Sequence, residues 1–261
     1  MTSTIYLDTN PPLAEIILNR PGKRNALSVE MWSAIPDLIG QATNDPSVKV
    51  IILHGGDSGS FAAGADISEF STIYATPESA AKSGKTIADA LAAVEDCPKP
   101  VIAAIQGACV GGGVSLAMAA DIRLSHPGAR FGITPGKLGL VYPPSDTRRL
   151  LKAIGPGAAK DLLFTGKIIY AQRAQDIRLI DLLCDENEDI LEFARAYAGE
   201  VCSVSQWSTR AIKTMIAGFE AGWTDSHPDA QALFLEGFAN VDFQEGYSAF
   251  LEKRKAAFLF E

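Results

Sequence analysis

Residues 101–120 read Val-Ile-Ala-Ala-Ile-Gln-Gly-Ala-Cys-Val-Gly-Gly-Gly-Val-Ser-Leu-Ala-Met-Ala-Ala, twenty positions without a charge. That length raises the question of a membrane span, because about 20 apolar residues cross a bilayer as a helix. Gln106, Gly107, the triplet Gly111–Gly113 and Ser115 interrupt it. A buried strand at 101–105, a glycine-rich turn and a buried helix ending near Ala120 account for the pattern better. A further strand over 121–125 follows directly.

Outward from this stretch the same alternation recurs. Upstream, 48–53 (Val-Lys-Val-Ile-Ile-Leu) has the composition of a fully buried strand, and a Gly/Ser-rich loop from Gly55 to Ser60 follows it. A helix is expected from Ser28, whose hydroxyl can cap it, toward Ala42, with Pro36 kinking it or moving its start. A second helix is expected over 77–94, and two short strands at 4–7 and 13–18 flank a turn at Asn10-Pro11-Pro12. Buried strands alternating with helices define an α/β fold. From Pro143 onward helical periodicity dominates, notably over 187–202, 204–219, 228–238 and 244–256. The expected division is a βα core over 1–200, carrying binding and catalysis, and a helical region over 201–261 that covers the site or mediates assembly.

Composition narrows the function. Lys and Arg number 23 against 31 Asp and Glu, a net charge of −8. Nucleic acids and anionic membranes are held by dense cationic surfaces, so neither is an expected partner, whereas a small anionic ligand needs only a few local cations. Cys97, Cys109, Cys184 and Cys202 match no zinc spacing and no dense disulfide frame, and Met1 to Asp8 carry no targeting signature. A reduced, cytoplasmic setting is expected.

Two loops could carry chemistry: Phe61-Ala62-Ala63-Gly64-Ala65-Asp66-Ile67 and Gly107-Ala108-Cys109-Val110-Gly111-Gly112-Gly113. Each follows a strand and opens a helix, where small residues admit a ligand to the backbone and free N–H groups face it. Two such amides aimed at one oxygen make an oxyanion hole. Ser115 also lies in Gly113-Val114-Ser115-Leu116-Ala117, close to the nucleophile elbow of serine hydrolases, with Asp121, His126 or His227 as conceivable partners. The fifth position is Ala, and a small packing residue explains Ser115 equally well. His54, His126 and His227 form no metal spacing, and 107–113 does not fit the Gly-x-Gly-x-x-Gly offsets, so neither a metal nor a redox cofactor is expected.

Together with Arg20-Pro21, Asn25-Ala26-Leu27, Pro98-Lys99-Pro100, Ala119-Ala120-Asp121-Ile122, Ala171-Gln172-Arg173-Ala174 and 249–254 (Ala-Phe-Leu-Glu-Lys-Arg), these loops resemble the crotonase, or enoyl-CoA hydratase/isomerase, superfamily along nearly the whole chain. The resemblance implies a spiral of repeated ββα units with a helical C-terminal region, assembled as homotrimers or dimers of trimers. It implies an acyl-CoA substrate, no cofactor beyond its CoA moiety, and an oxyanion hole formed by the amides of Ala65 and Gly112. CoA contacts are implied at Lys23, Arg24, Ala26, Ala63, Ala65, Asp66, Ile67, Gly112, Phe250 and Lys253.

The chain departs from the hydratase pattern where it matters for the reaction. Hydratases of this family place glutamates at the positions of Ser115 and Pro135, and neither residue here is a carboxylate base. The Thr134-Pro135-x-x-Leu138-Gly139-x-x-Tyr142 run, with Phe164-Thr165 and Gln244-Glu245-Gly246, resembles the methylmalonyl-CoA decarboxylase branch, although that branch has His at the position of Ala65. Loss of carbon dioxide generates an enolate without a base, so Ser115, Thr134 and Tyr142 become candidate catalytic groups, the last two orienting a carboxylate and Tyr142 or water supplying the later proton. Decarboxylation of a short malonyl-type CoA is the narrow expectation. Its alternatives are hydration or isomerisation by relocated acids such as Glu69 or Asp146, a serine hydrolase through Ser115, and a silent CoA-binding scaffold.

Overall fold

The computed structural model describes residues 3–258. Met1–Thr2 and Leu259–Glu261, at the two ends of the expected division into 1–200 and 201–261, lie outside them. In chain order the regular elements are β1 (Ile5–Asn10), β2 (Leu13–Leu18), α1 (Val29–Asn44), β3 (Val50–His54), α2 (Phe70–Ile73), α3 (Pro77–Glu95), β4 (Val101–Ile105), β5 (Ala108–Val110), α4 (Gly112–Ala119), β6 (Ile122–Ser125), β7 (Arg130–Gly132), α5 (Pro144–Thr165), β8 (Ile168–Tyr170), α6 (Ala171–Asp176) and β9 (Leu182–Leu183). Four helices complete the chain: α7 (Ile190–Cys202), α8 (Gln206–Glu220), α9 (Pro228–Ala239) and α10 (Val241–Glu252).

The strands form two sheets, one in the order β1-β2-β3-β4-β6-β9 and one in the order β5-β7-β8. Two windings of the chain feed both sheets before a helix: β4 joins the large sheet and β5 the small one ahead of α4, then β6 and β7 divide in the same way ahead of α5. Ala62 extends the pattern, bridging Cys109 on β5 after β3 has joined the large sheet. This is the α/β spiral of ββα units.

The large sheet is parallel from β2 through β9 and covered on both faces, as parallel sheets require. Ile51, Leu53, Val101, Ala103 and Ile105 face one way, into a core with Met31, Ile35 and Ile39 of α1, Leu91 and Val94 of α3 and Leu116 of α4. Val50, Ile52, Ile102 and Ala104 alternate to the other side against Ile190, Ala194 and Ala198 of α7. The charge-free stretch is therefore two strands and a helix inside this core, and among the described residues no helix is long and apolar enough to cross a membrane.

Two expectations are corrected here. Pro36 does not move the start of α1: Ser28 accepts the Met31 amide at 3.3 Å as N-cap, and the helix runs on through the proline, with buried Met31, Trp32 and Ile35 before it and Ile39 after it. Residues 108–110 are a strand and not loop, because Ala62 and Arg130 offer it edges on both sides. Near the C-terminus, α8 packs on α9 and α9 on α10, and Lys213 of α8 reaches back to Asp121 at 2.7 Å.

Candidate active site

The second loop ends in an α-helix whose first turn is free. Ser115 N is the first amide to close an intrahelical bond in α4, to Gly111 O at 3.0 Å, so Gly112 N–H is one of the orphan donors of a helix N-terminus. Gly111 N, by contrast, is used up on Gly132 O of β7 at 2.8 Å, which pins the turn to the small sheet.

The first loop is held from both sides. Ala62 exchanges bonds with Ala108 and Val110 of β5, at 2.9 Å each. Ala63 N donates to Arg24 O at 3.0 Å, and Leu27 donates to Gly64 O at 2.7 Å while accepting from Asp66 N at 2.9 Å. In such a parallel bridge the partner residue's own N–H points the other way, so Ala65 N–H faces away from Leu27. Gly64 makes this possible: its φ of +113° resets the strand alternation in a region closed to L-residues with side chains.

The two free amides lie close to one another. A Cβ on Gly112 would lie 3.8 Å from Ala65 N, 3.6 Å from Leu27 Cδ1 and 3.1 Å from Trp32 Cζ2. Among the described residues, no hydrogen bond takes up the N–H of Ala65 or of Gly112. Leu27 and Trp32, both buried, are the apolar side chains packed beside Gly112.

Asn25 holds this frame. It is fully buried with φ +55°, a left-handed geometry Asn tolerates, and its side chain accepts from Arg20 N at 2.7 Å while donating to Gly55 O, Ser58 Oγ and Ser60 O at 3.0, 2.6 and 2.8 Å. Asp66, expected at CoA, is committed inward. It accepts from the Ser68 hydroxyl at 2.6 Å and the Arg20 guanidinium at 2.7 Å, which together hold its carboxyl well below the usual carboxylate range. Arg20 in turn donates to Ala26 O at 2.5 Å. Lys23 and Arg24 stay exposed at the rim, Ala26 and Ala63 are half-buried beneath them, and Ile67 is exposed next to Asp66. Glu69 accepts the Val29 amide at 2.9 Å and so serves the first turn of α1.

Behind Gly112 lies a buried polar chain. Ser115 Oγ donates to Asp146 Oδ2 at 2.6 Å and sits 2.7 Å from Tyr142 Oη and 3.4 Å from Gly111 O. Asp146 also accepts from Ser145 Oγ at 3.0 Å and faces Arg149 at 3.5 Å, and Arg149 in turn is bound to Glu95 of α3. Burial, reinforced by the charge of Asp146, pushes the Tyr142 hydroxyl far above the ordinary phenol range. Ser115 has only one proton, and it goes to Asp146. Tyr142 must therefore donate to Ser115, which contradicts the expectation that it orients a substrate carboxylate with its own proton.

The serine-hydrolase reading fails at the same point. The ring of His126 bonds Gly128 N and Glu186 O, and His227 caps α9, so no imidazole meets Ser115. His54 likewise takes the Gly56 amide and faces Glu15. Thr134 is half-buried at the start of the 135–138 turn, and its side chain makes no hydrogen bond among those of the described residues. Phe250 and Lys253, at the end of α10 on the α8–α9–α10 layer, are exposed and not joined to the two loops within this chain. Cavities of about 710 Å³, between α8 and the α4–α5 side of the core, and about 500 Å³, among the aromatics of α9 and α10, are lined by neither Ala65 nor Gly112. The unaccepted backbone donors, more than cavity size, mark the site. Among the described residues no cluster of His, Cys, Asp or Glu is placed to hold a metal ion.

Comparison with known proteins gives one consistent result. Residues 8–259 match the enoyl-CoA hydratase/isomerase family. A crotonyl-CoA hydratase from Syntrophomonas wolfei is 35% identical over 98% of this chain and 97% of its own length. A short-chain-enoyl-CoA hydratase from Clostridium acetobutylicum is 32% identical over 97% of this chain and 96% of its own. The crystal structure of an enoyl-CoA hydratase/isomerase family protein from Hyphomonas neptunium superposes with a TM-score of 0.97 at 62% identity, covering 100% of this chain and 99% of that one.

Proposed function

The chain belongs to the enoyl-CoA hydratase/isomerase family, and from that premise we propose that it holds the carbonyl oxygen of a short acyl-CoA thioester between the amides of Ala65 and Gly112 as that oxygen turns anionic. The observation that carries this reading is the pair of unaccepted main-chain donors, brought together from two loops beside Leu27 and Trp32. A preorganised donor of this kind is worth about 2.7–4 kcal/mol to a developing oxyanion.

For the bond that changes, hydration or double-bond isomerisation of a short enoyl-CoA is the first reading. The names of the hydratase relatives support it, as does the Asp146 carboxylate 2.6 Å from Ser115, a carboxylate regained at a position whose own side chain lost one. Decarboxylation of a short malonyl-type CoA is the second, supported by Pro135, which leaves the other glutamate position empty of any acid. Purified protein given crotonyl-CoA and methylmalonyl-CoA separates the two. Loss of the enoyl absorbance supports the first, and release of carbon dioxide the second. Failure to bind either thioester overturns both.

The proposal extends to the setting. The four cysteines are unpaired, as a reducing cytoplasm would keep them, and no cofactor beyond the CoA moiety enters the scheme. A homotrimer or dimer of trimers would cover Phe234, Leu235, Phe238, Val241, Phe250 and Leu251, which the single chain leaves exposed on α9 and α10. It would also allow Phe250 and Lys253 to serve a neighbour's site together with Lys23 and Arg24. Sedimentation velocity tests the assembly: a monomer at micromolar concentration sinks it.

A further inference from the structure

We propose that Tyr142, Ser115 and Asp146 form a proton relay with Asp146 as its terminal acceptor, doing through two hydroxyls the acid–base work that the side chains at 115 and 135 cannot do directly. The inference rests on the acyl-CoA reading above and adds to it the groups that move the proton.

The geometry is directional. Side chains on a helix lean toward its N-terminus, so Ser115 lies over the turn that carries Gly111 and Gly112, and its 3.4 Å contact with Gly111 O records this. The hydroxyl pair of Ser115 and Tyr142 thus sits within one turn of the Gly112 amide. Every donor along the chain points the same way, from Tyr142 to Ser115 and from Ser115 to Asp146, which leaves lone pairs of Tyr142 Oη as the open end. Tyr142 is held as a neutral phenol by its burial, so it can receive a proton only by handing its own onward. The charged and titratable groups around the chain are Arg149 beside Asp146, Cys109 of β5 beside Tyr142, and Glu95 of α3 behind Arg149, with the neutral Ser145 hydroxyl donating to Asp146. Burial raises the Cys109 thiol, which keeps it neutral and out of the exchange.

The step balances without any co-reactant. A C–H bond on the thioester's acyl chain breaks, and its electron pair moves through the carbonyl to the oxygen held by Ala65 and Gly112. The proton binds Tyr142 Oη, the Tyr142 proton passes to Ser115 Oγ, and the Ser115 proton passes to Asp146 Oδ2. Asp146 ends as a neutral acid, the two hydroxyls end as they began, and the reverse sequence returns the proton. In hydration the same chain takes its proton from water.

Exchange of the α-protons of butyryl-CoA in D2O, followed by mass spectrometry, reads this transfer without requiring a full turnover. Wild type exchanges. The near-isosteric variants Tyr142→Phe and Asp146→Asn, and Ser115→Ala, should each lose on the order of 100-fold or more, the usual range for acid–base catalysis. Calorimetric binding of butyryl-CoA should stay within about threefold, since a proton-transfer group adds little to ground-state affinity. Ser115→Thr keeps a hydroxyl and should keep most of the rate. Thermal melts confirm that each variant is folded. Ser115→Ala or Tyr142→Phe exchanging within about tenfold of wild type would overturn the relay, since a missing link should cost far more. Wild type that binds butyryl-CoA but does not exchange it overturns the relay and leaves the acyl-CoA reading standing. Absence of binding overturns that reading itself.

Discussion

Replacing Gly112 by Ala should cost activity far more than stability. The glycine's backbone is ordinary right-handed helix, so the change adds a methyl group without φ strain, at the first position of α4. That methyl would lie 3.1 Å from Trp32 Cζ2 and 3.8 Å from Ala65 N, beside the proposed oxygen position, where both amides must be approached to about 2.7–3.1 Å. Trp32, on α1, is 3% exposed and part of the main core, so the ring cannot yield by much. The methyl then either crowds that position or shifts the start of α4 by a few tenths of an ångström, and in both cases at least one donor is lost. A lost donor costs about 2.7–4 kcal/mol, or roughly 100- to 1,000-fold in turnover. Stability is pulled two ways, since Ala gains up to about 1 kcal/mol of helix propensity and crowding against Trp32 gives some back, so the melting temperature should move by only about 2–4 °C. The assay is crotonyl-CoA hydration, or butyryl-CoA α-proton exchange, alongside a thermal melt. Turnover within about fivefold of wild type in a folded Gly112→Ala protein would refute the shared oxyanion position, because the smallest expected loss is far larger.

Three further outcomes follow from the same geometry. Lys23→Ala and Arg24→Ala should each raise KM for an acyl-CoA by roughly two- to fivefold with kcat unchanged, the scale of an exposed ion contact, and the effect should fade with added salt. Asn25→Ala should destabilise the fold by about 2–3 kcal/mol in urea titration, because the buried carbonyls of Gly55 and Ser60 lose a shared donor. Glu15, bonded by His54 first and Arg195 next, has its pKa lowered from 4.5 to about 2 in the folded state. Its contribution is complete above pH 4.5 and is lost as the pH falls toward 2, so Glu15→Gln should remove about 2 kcal/mol at neutral pH and flatten the acid limb of the stability curve.

Much of the fold is legible in local pattern. The strands over 50–54 and 101–105 are apolar at nearly every position because both of their faces are covered, by α1, α3 and α4 on one side and by α7 on the other. Ser28, Thr76, Asp189 and Ser205 each sit where a helix starts, and each accepts an amide of its first turn. The strands β5, β7, β8 and β9 left no readable trace, because two or three residues carry no periodicity and exist only where another edge is waiting.

The candidate site divides along the same line. The small residues of 61–67 and 107–113 announce a close backbone approach, and the absence of a carboxylate at 115 and 135 is a matter of residue identity alone. What the amino-acid order determined was therefore the α/β class, the two loops able to offer free amides, and the loss of the ordinary acids. Only the tertiary structure decided which nitrogens stay unaccepted, since that depends on Leu27 and Ala62 taking the other bonds of the same strand. It also decided that an acid returns, because Asp146 reaches Ser115 across 31 residues through a turn in space that spacing does not encode. Local energetics act within a few residues along the chain, whereas the direction of a proton is set by whichever groups packing brings within 3 Å.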